Sequence, residues 1–111
     1  MGYKMKNDII TLMHAGAPIV KEDLGKGVEG VTLNDGTIVI NKNLSPIQQK
    51  VAISHEAVHR DQIMRGDLSY DDNYVYWNGK KYPRKTMKEG AKDLPWEAEA
   101  YERQYKPKNN K

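Results

Sequence analysis

The sequence predicts a small α+β domain, and three observations carry that expectation. Two β-rich segments flank the turn Asn34-Asp35-Gly36, a helix-start signature stands at Ser45, and Asn78-Gly79 joins two further β-rich runs. At 111 residues the chain has the length of one domain with a modest core. Residues 1–105 are read as that domain and 106–111 as a basic, disordered tail. Hydrophobic residues make up 38% of the chain, charged residues 30%, and phenylalanine is absent, so the core must draw on tyrosine. A bound metal would help to stabilise so small a fold. Cysteine is also absent, which excludes disulfides and thiolate-held metal and leaves histidine and carboxylate as candidate ligands.

The first 27 residues are the least legible. Ile9 to Met13 suits either a strand or a helical turn, and Gly16, Pro18, Gly25 and Gly27 break up the rest of this segment. The first clear element is a hairpin of Val28–Leu33 and Thr37–Asn41. Val31 and Leu33 alternate with polar neighbours, as do Ile38 and Ile40, which predicts one buried face. A long helix is expected next. Ser45 is its N-cap, Pro46 fits the first helical position, and Gln48 completes a capping box. It should run to about Arg65 and stop at Gly66. Ile47, Val51 and Val58 form an apolar stripe on it, with Ile53, Ala57 and Met64 on the far side, so the helix is expected to be covered on two sides.

Gly66 to Pro83 is aromatic and acidic, and Val75-Tyr76-Trp77 and Lys80-Lys81-Tyr82 flank the Asn78-Gly79 turn as a second hairpin. Its tyrosines read as the lid of a core that lacks phenylalanine, in preference to a base-stacking surface. A short helical turn is expected in Arg84–Asp93. A last helix should begin around Asp93–Trp96, with Pro95 in its first turn, and end before Pro107.

The net charge is +3, with much of the excess in Lys80–Lys92 and Lys106–Lys111. So mild an excess favours a solvated surface over nucleic-acid binding. Met1–Ile10 carries lysines but no apolar run of signal-peptide or membrane-span length. A cytoplasmic setting without a membrane partner is the expectation, or wherever a protein partner carries the chain.

The chemistry concentrates in His55-Glu56-Ala57-Val58-His59. Four residues is slightly more than one helical turn, so both imidazoles project from one side, about 6 Å apart along the axis. Two neutral imidazoles there can chelate one Zn2+, and Glu56 beside them can take a proton from a water that the zinc activates. A hydrolase, most simply a peptidase, is the implied class. The plainer alternative is a pair of solvated histidines on an amphipathic helix.

Two histidines leave such a site one protein ligand short. His14, beside Gly16, is a weak third candidate. Glu97, Glu99 and Glu102 stand at the start of the last helix, where the helix dipole alone would favour them. Glu97 and Glu99 point about 200° apart, so only one can face the motif helix. The small Ala100, three residues after Glu97, would let the two helices approach on that side. Glu97 is therefore taken as the ligand, with Glu99 second.

The run Leu33-Asn34-Asp35-Gly36-Thr37-Ile38-Val39-Ile40-Asn41, then Leu44-Ser45, then His55-Glu56-Ala57-Val58-His59, resembles the small zincin-type metallopeptidases of the minimal gluzincin kind. Glu97-Ala98-Glu99-Ala100 is similar to the E-x-E-A context of that family's glutamate ligand, and the likeness spans about Val28 to Glu102. It implies a zincin-like layout of hairpin, H-E-x-x-H helix, second hairpin and last helix. It implies Zn2+ held by His55, His59 and Glu97, with Glu56 catalytic, and a peptide or protein substrate lying along the edge of the Thr37–Asn41 hairpin. Short proteins of this kind occur in bacteria and phages, so association with a virion is a second expected setting. The chain departs from the family at Ala57-Val58, where many members have a bulky residue and then glycine. It departs also at Tyr101, where several have aspartate or asparagine, leaving open which residues support the ligands from outside. Zinc kept for folding alone, in a module that catalyses nothing, is the alternative function. The donor to a reaction oxyanion is likewise open among Tyr70, Tyr74, Tyr76, Tyr101, Arg60 and His14.

Overall fold

Ile38-Val39-Ile40-Asn41 is β-branched over three of its four residues, and the first half of the molecule is built around it. In the computed structural model, which describes residues 17–107, this strand is β3 (Ile38–Asn41). It lies between β1 (Ile19–Glu22), parallel to it, and β2 (Gly30–Thr32), antiparallel. The expected hairpin is present, closed by Leu33 N–H to Thr37 O and Gly36 N–H to Leu33 O, both at 2.8 Å. Its predicted single buried face is corrected. Val31 stands opposite Val39, so Val31, Leu33 and Val39 share one face, covered by Val20, Leu24 and Val28. Ile38 and Ile40 take the other face and pack on Ala52, Leu44 and Ile53 of the following segment. All four β3 residues are buried. β1 was not anticipated, because its parallel pairing with β3 leaves no local turn signal.

The long helix, α1 (Pro46–Met64), begins with both halves of the capping box, Ser45 Oγ accepting from Gln48 N–H and Gln48 Oε1 from Ser45 N–H. It ends with Gly66 N–H bonded back to Ile63 O and Asp67 N–H to Gln62 O, the paired bonds that close a helix through a left-handed residue. Of the expected apolar stripe Val58 is buried and Ile47 is exposed, and the expected cover of the far side is corrected at Ala57 and Met64, both exposed; the buried residues are Ala52, Glu56, Val58, His59 and Gln62, mostly polar. α1 is thus open on one side and buries a polar face.

A second antiparallel sheet follows, β4 (Leu68–Tyr70), β5 (Tyr74–Trp77) and β6 (Lys80–Pro83), in that spatial order. Asn78 and Gly79 take the positive φ values, +50° and +83°, that a two-residue hairpin turn requires. β4 is an addition to the hairpin expected there. A single 3-10 turn, Arg84–Thr86, leads toward α2 (Pro95–Arg103), which starts at Pro95 as expected. Leu68, Tyr70, Val75 and Trp96 form the second core, with Ile63, Trp77, Tyr82, Met87 and Leu94 around it. Tyrosine and tryptophan fill the place of phenylalanine.

The molecule is therefore α+β, with two helices and two small sheets among the described residues. His14, the Ile9–Met13 segment and residues 108–111 of the expected tail lie outside them. No helix among the described residues is long and apolar enough to cross a membrane.

Candidate metal centre

His55 and His59 sit one turn apart on α1, their ring centroids 4.9 Å apart in an edge-to-face arrangement. α2 crosses this face and delivers Glu97 from its first turn. One carboxylate oxygen, Glu97 Oε1, lies 3.0 Å from His55 Nε2 and 3.2 Å from His59 Nε2. The candidate ligand atoms of the three residues all lie within 4.8 Å of one another. Three ligands at zinc bond lengths in a tetrahedral arrangement stand about 3.4 Å apart, so the donor set suits that ion and the two histidine–carboxylate distances come close to its spacing.

Both histidines turn the same nitrogen to Glu97 because the other is engaged. His55 Nδ1 meets Gln104 Oε1 at 2.6 Å and His59 Nδ1 meets Gln62 Oε1 at 2.8 Å. An amide oxygen only accepts, so each Nδ1 carries the proton. Gln62 is fully buried and Glu97 nearly so. Neither glutamine stands out in the sequence, although Glu97, Tyr101 and Gln104 follow the i, i+4, i+7 spacing of one helix face. Tyr101 packs edge-on against His55 at 4.6 Å. Tyr101 thus gives His55 an aromatic contact, and Gln104 supplies its hydrogen bond.

Glu99 is turned away from the histidines. Its carboxylate accepts from Gln62 Nε2 at 2.9 Å and from Arg65 and Arg103, both at 2.7 Å. Those arginines, Arg65 first, hold it at a pKa of about 2. Burial by itself would raise Glu97, but the hydrogen bonds and charges of both histidines outweigh burial and hold it at about 2. Burial would equally lower His59, yet Glu97 and the charge of Glu56 carry it up to about 9. His55 is raised for the same reasons, against the same desolvation.

Glu56 is buried beside the pair and backs onto β2. Thr32 Oγ1 donates to its Oε1 at 2.7 Å, and the carbonyl of Thr32 in turn accepts from the Tyr70 hydroxyl. Gly30 makes this approach feasible, since a Cβ there would stand 3.1 Å from Glu56 Cγ and 3.0 Å from Ile40 Cδ1. Removal from water raises the Glu56 pKa, against the opposing pull of both histidines and Thr32.

A cleft of about 320 Å³ opens over these groups, walled by Gly27–Gly30 on one side and by Tyr101 and Gln104 on the other. His55, Glu56, His59 and Glu97 all line it. Of the donors named from sequence, Tyr101 reaches this cleft. Tyr70 is committed to Thr32, Tyr76 donates to Asp71, and Arg60 binds the carbonyls of Gly36 and Ala17. Tyr74 borders a separate surface hollow with Pro83 and Arg84. β3 is flanked on both sides, so the hairpin edge that borders the cleft is that of β2.

No protein-family model matches the chain, and no curated protein and no solved structure matches it either.

Proposed function

We propose that the chain is a zinc-dependent metallopeptidase of the small zincin, minimal-gluzincin kind, acting on peptide or protein substrates. One observation carries the reading: His55, His59 and Glu97 converge from two helices beside a buried carboxylate, Glu56, on the wall of a cleft. Zinc, when bound by those three side chains, supplies a Lewis acid that acidifies water and polarises a carbonyl.

Glu56 is the general base. Burial raises its pKa, which makes the carboxylate a better proton acceptor than a solvated one. It takes one proton from the water whose oxygen attacks the peptide carbonyl carbon, and passes it to the amine nitrogen as the C–N bond breaks. Thr32 fixes the carboxylate for both transfers. Tyr101 offers its hydroxyl to the oxygen on which negative charge develops. In an antiparallel ladder Gly30 and Thr32 alternate with Val31, which pairs with β3. Their backbone groups therefore point outward along β2; the Thr32 carbonyl is taken by the Tyr70 hydroxyl, which leaves Gly30, on the wall of the cleft, as the place where an extended substrate pairs.

A second reading has one observation in its favour. His55, His59 and Gln62 of α1 meet Glu97, Glu99 and Gln104 at the α2 side through polar bonds, so zinc there would join the helices without catalysis. Glu56→Gln separates the two. Metal analysis of the purified protein should give one zinc per chain, and the variant should keep that zinc and its fold. Hydrolysis of an unfolded protein substrate should fall by about 10² to 10⁴, the worth of a positioned base. Equal inertness of both proteins across a broad peptide library would remove the peptidase claim. A zinc content far below one per chain would remove the metal site.

A further inference from the structure

We infer that Glu29 makes the cleft selective for extended peptides that carry lysine or arginine at the residue lying opposite it. What happens to such a peptide rests on the peptidase reading above, but the selectivity is a property of binding and is measured without catalysis.

β2 is an edge strand, and its residues divide by the direction of their backbone groups. The Glu29 carbonyl oxygen faces inward and accepts from Asn41 N–H at 2.9 Å, so Glu29 continues the register in which Val31 pairs with Val39. Side chains alternate along a strand, which puts Glu29 on the face of Val31 and Leu33. Its inner neighbour on that face is Asn41. The side-chain nitrogen of Asn41 is committed to the carbonyls of Gly25 and Val28, both at 2.8 Å, and gives nothing to Glu29. On the outer side, a substrate strand paired with Gly30 would set its next residue opposite Glu29, with the two side chains on one face. Since Glu29 turns its backbone inward, that pair exchanges no hydrogen bonds, the arrangement in which opposed side chains come closest.

Charge decides which side chain suits that place. Glu29, Glu56, Glu89 and Glu97 line the cleft, and no lysine or arginine does. Three of these acids are matched from within the protein. Glu97 meets both histidines, Glu56 takes the Thr32 hydroxyl, and Glu89 is held by Arg84 at 3.0 and 3.2 Å. Glu29 is exposed, and among the described residues no donor or cation reaches its carboxylate. Lys92 lies over the Tyr101 ring on the far wall, 5.0 Å from its centre, and does not line the cleft. A cationic side chain arriving opposite Glu29 would therefore meet an unanswered negative charge, whereas an acidic one would be repelled.

The test uses fluorescently labelled peptides of otherwise neutral sequence, with one lysine moved stepwise along them, and a matched set with glutamate in its place. Both sets should be titrated against Glu56→Gln protein supplied with equimolar zinc, so that binding is read without cutting. At one position lysine should bind about fivefold tighter than glutamate, the upper end for one cross-strand charge pair. Added salt should shrink that ratio. Glu29→Gln in the same protein should bring the ratio toward one, and Glu29→Lys should invert it. Glu22→Lys, on β1 at the other edge of the same sheet, changes the net charge equally and should keep the original preference.

A ratio of one at every position, or no peptide bound at all, would overturn the inference. So would a Glu29→Lys protein that still prefers lysine, or an equal inversion by Glu22→Lys. If the preference follows Glu29 while the protein with Glu56 intact cleaves none of these peptides, the selectivity stands and the peptidase reading falls.

Discussion

Toward the first sheet, α1 presents Ala52 and Ile53 to Ile38 and Ile40; toward α2 it presents His55, His59 and Gln62 to Glu97, Glu99 and Gln104. The first contact is apolar and tolerant of small shifts, since burying hydrocarbon has no directional demand. The second depends on each donor meeting its acceptor. Among the described residues no buried side-chain polar atom lacks a partner, and that completeness is what makes the polar face costly to disturb. The sheet side holds α1 in place, whereas the α2 side spends its interactions on bringing His55, His59 and Glu97 together.

The two faces should fail differently. Ile40→Ala, at a fully buried position, should cost about 2–5 kcal/mol in denaturant unfolding. The zinc affinity of the protein still folded should stay at the wild-type value; a parallel loss of affinity would mean that the faces are not separable. Gly30→Ala probes their junction, because the new methyl would press on both Ile40 and Glu56. About 1–3 kcal/mol of overpacking is expected, together with lost hydrolysis at unchanged zinc content if Glu56 is the group that yields.

The smallest effect per step comes from pH, and it has opposite signs on metal-free stability and on metal binding. The folded pKa of His59, about 9, lies above its unfolded value of about 6.5. Its pairing with Glu97 therefore stabilises the metal-free fold fully below about pH 6.5 and is lost as pH rises through about 9. Zinc must displace that proton, and the one on His55 while that ring is charged, so its apparent affinity should climb by at least about tenfold per pH unit over the same window and level off above it. Glu97, at about 2, is ionised throughout and adds no slope. Calorimetry and chelator competition across this range should give crossing trends; two parallel trends would sink the assignment of His59.

Much of the scaffold was legible because its signals are local. Ser45 with Gln48, and Asn78 with Gly79, each specify a backbone geometry within four residues, and both are realised. β1 was not legible, since Ile19 pairs with Ile38 across nineteen residues and without a turn between them. The helix stripe misled because apolar periodicity counts Ile47 and Met64 as core and passes over Glu56 and Gln62. The position of Glu97 could be read from the geometry of a helix start. The glutamines could not, because an ordinary helix-surface residue acquires its role only when the packing of α2 on α1 brings it partners.

Asn34, first residue of the turn between β2 and β3, has a consequence beyond closing that hairpin. Its side-chain amide gives a hydrogen bond to Tyr70 O at 2.7 Å and takes one from Tyr70 N–H at 3.3 Å, as a neighbouring strand would. The margin of β4 is thereby occupied by a surrogate too short to be extended. At Tyr70 a foreign chain therefore finds the backbone N–H and C=O of that edge already paired, and a protein whose proposed work is to receive extended peptides along β2 is less open to gathering them along the β4 edge beside it.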